Sequence, residues 1–307
     1  MSARSALLLV AHGTVENLDD LPAFVTNIRR GHAPPPELIA ELRRRYAAIG
    51  GRSPLLDISR SLATKLEARL GIPTRIAMRL WHPYVADVAK ELAAEGISEL
   101  AVVPLAQHSA AVYGDAAKKA VSELGSSMTV HCATNWGQSP LLVAAYANEV
   151  RKTFAPLSTQ ERKRTTLLFS AHSLPVAIIR SGDHYEKEFR ASVEAVVKLL
   201  GEDAPKHVVA FQSQGIGTGM EWLGPNLETT LGDIAKEGKN RVIFAPIGFL
   251  ADHVEILYDL DVEAREWARA LGLETIRVPS LNDSDALVDT IAAVAAPLLA
   301  TVQTQSR

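Results

Sequence analysis

Short apolar runs punctuate this chain, and a stretch with helical spacing follows nearly every one. Runs at 6–10, 75–78, 99–104 and 130–133, and again at 165–169, 207–211, 241–245 and 275–278, are four to six residues long and mostly apolar rather than alternating. That is the pattern of strands buried on both faces of a parallel sheet. Amphipathic segments lie between them, among them 37–48, 54–70, 140–154, 185–200 and 227–237, with a last one after Asp283. The alternation predicts an α/β protein of two similar doubly wound, Rossmann-like halves with a cleft between them. Local echoes support two related halves. Leu9-Val10-Ala11-His12-Gly13 parallels Phe169-Ser170-Ala171-His172-Ser173, and Val103-Pro104-Leu105 parallels Ala245-Pro246-Ile247. The polar connection 156–164 has no apolar period and sets the expected boundary, giving domains 1–158 and 159–307. Residues 17–37, with little period, three prolines at 34–36 and the basic pair Arg29-Arg30, read as a lip over a site rather than a core element.

Candidate chemistry sits at the carboxyl ends of two of these runs. The run at 241–245 leads through Pro246-Ile247-Gly248 into Ala251-Asp252-His253-Val254-Glu255, where Glu255, Asp259 and Glu263 recur every four residues and share one helix face. Like charges so spaced destabilise a helix by roughly 0.2–0.5 kcal/mol per pair, so the row needs cations or a use. His253 stands two before Glu255 and is expected to point elsewhere on a regular helix. The run at 165–169 ends at Ser170-Ala171-His172-Ser173-Leu174-Pro175. Ligands of open α/β sheets bind beyond the carboxyl ends of strands, so His172 and Glu255 are expected to face one cleft. A histidine with carboxylates handles protons or divalent metals.

These segments resemble those of a known family. Ser170–Pro175 and the run from Pro246 to Asp259 resemble the two signature segments of the ferrochelatases; Gln212-Ser213-Gln214 with Trp222-Leu223-Gly224-Pro225 resembles the middle segment. Ile28-Arg29-Arg30-Gly31 and the stretch from Arg45 to Leu55 resemble the amino-terminal substrate region, so the similarity runs from about Leu7 to Leu298. The resemblance implies a chelatase-like fold, insertion of Fe2+ into coproporphyrin III or protoporphyrin IX in haem biosynthesis, and no organic cofactor. His172 and Glu255 would be catalytic and, with His12, Asp259 and Glu263, metal-binding. His12, Arg29, Arg45, Tyr46, Ser53, His82, Gln107 and Trp222 would contact the porphyrin. A histidine with an ordinary pKa of about 6.5 can take a pyrrole proton near neutral pH or ligate Fe2+. The short segment between Arg30 and Arg45 resembles the compact type found in coproporphyrin-using bacteria. One position departs from the pattern: His12 stands where compact bacterial relatives usually carry tyrosine. It motivates an alternative, a chelatase loading cobalt or nickel into another tetrapyrrole; a non-enzymatic haem or metal carrier is a third reading.

Composition narrows the rest. With 47% hydrophobic and 22% charged residues and a net charge of −3, the chain has no general attraction to nucleic acid. Cys132 is the single cysteine, so no intrachain disulfide, thiolate zinc site or four-cysteine iron–sulfur cluster can form, and Cys132 is expected in the core. No leader-like apolar segment opens the chain, and the apolar stretch 286–302 is shorter than a membrane span, so a cytoplasmic protein is expected, acting as a monomer. Gly215-Ile216-Gly217-Thr218-Gly219 lacks the lysine of a phosphate loop, which sets nucleotide binding aside.

Overall fold

The computed structural model describes residues 4–215 and 219–305; Ile216, Gly217 and Thr218 of the glycine-rich stretch lie outside the described residues. Eight strands form where the apolar runs occur: β1 Ser5–Ala11, β2 Thr74–Met78, β3 Glu99–Pro104, β4 Thr129–Cys132, β5 Thr165–His172, β6 Lys206–Gln212, β7 Arg241–Ala245 and β8 Glu274–Arg277. They make two four-stranded sheets, ordered β2-β1-β3-β4 and β6-β5-β7-β8, with every pairing parallel. The two orders are the same, which gives the internal echoes their structural meaning. In each sheet the strand order reverses beside the first strand of the set, between β1 and β3 and between β5 and β7; this is the switch point where such sheets bind ligands.

The chain divides into two compact units. The first comprises residues up to 43, 52–141 and from 282 onward; the second comprises 44–51 and 142–281. The units therefore exchange segments relative to a simple cut near 158. The last helix, Asp285–Gln305, packs on β1, β3 and the helix Leu55–Leu70 of the first unit. The helix Pro140–Phe154 is tied to the second: Tyr146 donates to the Phe249 carbonyl at 2.9 Å and Arg151 to the Leu199 carbonyl at 2.6 Å.

In the first unit Ala6, Leu8 and Val10 pack with Val88, Leu92, Val102 and Val121. In the second, Leu168, Val242 and Phe244 pack with Leu231, Ile256 and Leu260. The second core reaches directly under the helix that carries the acidic row, so the row sits on fixed ground. Three local expectations change. Within 17–37 the helix Leu21–Ile28 buries Leu21, Phe24 and Val25, while 28–33 and 35–37 are exposed on either side of half-buried Pro34. The polar connection contains a five-residue helix, Thr159–Lys163, opened by a reciprocal cap between Ser158 and Glu161. Cys132 is half-buried, its thiol 3.6 Å from the Gly114 carbonyl, and burial pushes that thiol's pKa up. No helix among the described residues is long and apolar enough to cross a membrane.

Candidate active site

β5 runs three residues past its apolar pattern because Ser170, Ala171 and His172 keep pairing with Ala210, Phe211 and Gln212 of β6. The strand thus delivers His172 at its last position. Across the switch point, the turn after β7 folds against this tip. A Cβ on Gly248 would lie 2.4 Å from the Ala171 Cβ and 2.9 Å from the Ser170 carbonyl oxygen, so only glycine permits the approach. The Gly248 N–H donates to that same carbonyl at 3.0 Å.

The acidic segment then begins with the short helix Val254–Tyr258, passes through a π-helical turn, Asp259–Ala264, and continues as Arg265–Ala270. His172 Nε2 lies 3.5 Å from Glu255 Oε1, with about a third of each side chain exposed (33% and 36%). The second histidine departs from the helical expectation. His253 caps the helix with an extended backbone (φ −157°), so it does not obey helical periodicity, and its Nε2 comes within 3.4 Å of Glu255 Oε2.

Several groups fix the orientation of the pair. His172 Nδ1–H donates to the Ser173 carbonyl, which leaves Nε2 as the nitrogen facing Glu255. Tyr185 donates its hydroxyl hydrogen to the His172 carbonyl at 2.9 Å. Arg277 holds both ends of the acidic segment, with Nη1 2.9 Å from Asp252 and Nε 2.9 and 3.0 Å from the Asp261 carboxylate; Ser280 donates to Asp252 at 2.7 Å. Sequence spacing gives no signal for Arg277, since its partners lie 16 and 25 positions away.

Charge in this cluster differs from the ordinary values. Desolvation works against the charged form of His172, but the Glu255 charge and hydrogen bond, the Ser173 carbonyl and the Asp259 charge outweigh it and raise the pKa to about 9. Desolvation likewise opposes ionisation of Glu255, and His172 and His253 overcome it, holding Glu255 well below the usual carboxylate range. At neutral pH the pair therefore rests as imidazolium and carboxylate. This corrects the expectation of a histidine poised near 6.5: the resident proton must leave before Nε2 can act as base or ligand.

Asp259 is the group that titrates near neutrality. Its side chain is 3% exposed, and burial first, then the Glu255 charge, push its pKa up to about 7 against the opposing pulls of Ser213 and Arg45. Ser213 donates to its Oδ2 at 2.5 Å and Arg45 Nη1 lies 3.1 Å from Oδ1. Arg45 also sits over the Tyr258 ring, 4.8 Å from its centroid. The guanidinium expected to meet a porphyrin carboxylate is thus engaged by the acidic segment, which answers the need for a cation along the row. A pocket of about 150 Å3 opens beside Asp259 and Glu263, lined also by Arg45, Gln212, Gln214 and Trp267.

The expected metal-binding groups are divided between the two units. Among the described residues no set of three or more His, Cys, Asp or Glu is arranged to hold a metal ion. His172, Glu255, Asp259 and Glu263 belong to the second unit, together with Arg45, Tyr46 and Trp222; His12, Arg29, Ser53, His82 and Gln107 belong to the first. His12 is exposed beyond β1, its Nδ1 3.3 Å from the Tyr113 hydroxyl. Arg29 and His82 are exposed, His82 with its ring 4.3 Å from that of Tyr84. Tyr46, Ser53 and Gln107 are buried, and the Ser53 hydroxyl accepts from the Leu55 N–H at 3.3 Å to open the next helix. Trp222 is half-buried, bridged to Pro175, with its ring so close that a Cβ on Gly215 would lie 2.5 Å from it.

Known proteins resemble this chain along nearly its whole length. The family described as Ferrochelatase matches residues 4–297. A ferrochelatase of Herpetosiphon aurantiacus is 36% identical over 96% of this chain and 99% of its own length. A coproporphyrin III ferrochelatase of Anoxybacillus flavithermus is 35% identical, covering 94% of each. Among solved structures, SirB from Bacillus subtilis with Fe3+ superposes with a TM-score of 0.60 at 14% identity, over 99% of this chain and 98% of that one; this likeness speaks for the fold alone.

Proposed function

Because this chain belongs to the ferrochelatase family, inserting Fe2+ into a porphyrin for haem biosynthesis, we propose that the His172–Glu255 pair is where the metal replaces the pyrrole protons, and that the preferred porphyrin is coproporphyrin III. The observation that carries the first part is the pair itself: a histidine with one nitrogen fixed on a carbonyl and the other 3.5 Å from an ionised carboxylate, both still a third exposed at a sheet's switch point.

Insertion breaks two pyrrole N–H bonds and forms bonds from four nitrogens to Fe2+, with no change of oxidation state. Two protons must leave. The resting pair already holds one on His172. An approaching dication opposes the imidazolium and favours loss of its proton to solvent, which frees Nε2 to receive the two pyrrole protons in turn, each passed on before the next, or to ligate the iron while Glu255 receives them. Glu255 keeps the imidazole oriented and takes up charge as the proton moves. Asp259, with a pKa of about 7, is suited to pass protons onward at neutral pH, and Glu263 continues the row into the adjoining pocket. His12, exposed beyond β1 with Nδ1 3.3 Å from the Tyr113 hydroxyl, is a further ligand candidate.

For the porphyrin, the support is the relatives named coproporphyrin III ferrochelatases and the exposed Arg29 and Arg30. Four carboxylates on that substrate, against two on protoporphyrin IX, favour a cationic lip. The test is anaerobic Fe2+ insertion by the purified protein with both porphyrins side by side, alongside His172→Ala. The expected result is a higher kcat/KM with coproporphyrin III and loss of insertion in His172→Ala. Equal or better use of protoporphyrin IX removes the substrate assignment, and full activity in His172→Ala removes the assignment of the pair. Insertion of Co2+ or Ni2+ into sirohydrochlorin with none of Fe2+ into porphyrin overturns both.

A further inference from the structure

Gln212 is the last residue of β6 and pairs directly with His172 across the parallel ladder. Its side chain is buried, with the residue 2% exposed, among groups that leave its amide one orientation. The Glu255 backbone carbonyl can only accept, and it lies 2.9 Å from Nε2, so the NH2 group must face it. Oε1 then faces Ser170, whose hydroxyl donates to it at 2.8 Å. The Gln212 carbonyl also accepts from the Ser173 N–H at 2.7 Å. One buried residue therefore touches the strand on both sides of His172 and the first turn of the helix that carries Glu255.

We infer that Gln212 is a positioning residue for the reaction: its amide clamps β5 to the Val254–Tyr258 helix and so sets the spacing between His172 and Glu255. The inference rests on the reading of that pair as the insertion site. The Glu255 carbonyl already accepts from the Asp259 N–H where the helix passes into its π turn, so the Gln212 bond does not make the helix. It fixes where the helix lies relative to the neighbouring strand. Ser170, with no exposed surface, keeps the amide from turning over. Partners that orient a metal-site ligand from behind commonly change activity by 10- to 100-fold when lost, without touching substrate.

The test compares Gln212→Met, which keeps the approximate length and removes both side-chain bonds, with Ser170→Ala and His172→Ala in the full-length protein. Thermal unfolding of each is followed beside anaerobic Fe2+ insertion at varied porphyrin concentration. Gln212→Met is expected to lower kcat by about 10- to 100-fold while KM for the porphyrin stays within twofold. Ser170→Ala, which loses only the strand-side bond, is expected to lower kcat by a smaller factor at unchanged KM. A kcat within twofold of the parent in Gln212→Met, with His172→Ala inactive, overturns the positioning role alone. If Gln212→Met does not fold, Ser170→Ala decides, and an unchanged kcat there overturns the inference. An active His172→Ala signals instead that the underlying reading of the pair has failed.

Discussion

Replacing Asp259 by asparagine isolates the electrostatic strain of the acidic row. In the unfolded chain Asp259 titrates near its ordinary value of 3.8, and in the fold near 7. Between these values the folded state keeps a proton that the unfolded state has lost. Stability therefore falls as pH rises, by about 1.4 kcal/mol per pH unit, until the folded form also ionises. The stabilising contribution is complete below about pH 4 and gone above about pH 7, a span of about 4 kcal/mol. Asparagine mimics the protonated form at every pH and does not follow this slope. Its amide oxygen still accepts the Ser213 hydrogen bond and, like the protonated carboxyl of the parent, makes no ion pair with Arg45; the exchange of a hydroxyl for an NH2 group beside Arg45 adds an offset of about 1–3 kcal/mol that does not vary with pH. Urea unfolding of parent and Asp259→Asn from pH 5.5 to 8.5 at constant ionic strength separates the two effects. The variant should gain about 2 kcal/mol on the parent between pH 5.5 and 7 and then level off. A difference that stays flat, or moves against the variant as pH rises, refutes the picture of a buried carboxyl held partly protonated by its neighbours.

Two further substitutions probe the frame around the pair. Gly248→Ala should destabilise the protein by about 1–3 kcal/mol and depress insertion, because the new methyl meets Ala171 beside His172; wild-type melting and rate would show that the turn does not press on the strand tip. Arg277→Ala should cost about 2–3 kcal/mol by leaving Asp252 and Asp261 without their shared cation. Chemical unfolding measures that cost, and a loss below 0.5 kcal/mol would mean the network is replaced by solvent.

Much of the fold was legible because parallel strands buried on both faces announce themselves as apolar runs, and all eight were located to within a few residues. His172 and Glu255 were legible for a related reason: each follows such a run, and sheet topology brings strand ends together. What period could not reveal was anything set by non-local packing. His253 falls outside helical spacing because it is a cap. Arg45 looked available to substrate because nothing in its own helix shows that Asp259, 214 positions away, takes its charge. Gln212 closes an apolar run with a polar residue, a visible irregularity, but its partners Ser170 and Glu255 are 42 and 43 positions distant. The final helix carries a pattern that any apolar surface would satisfy, so its place on the first unit's sheet could not be read from its own residues.

The most direct test of the account is the rate of Fe2+ insertion by Glu255→Gln, an isosteric change that removes the charge beside His172. Positioned proton transfer is worth about 100- to 10,000-fold, so kcat should fall by at least about 100-fold while porphyrin binding, followed by absorbance, is unchanged. A kcat within threefold of the parent would contradict the claim that this carboxylate and its histidine move the pyrrole protons.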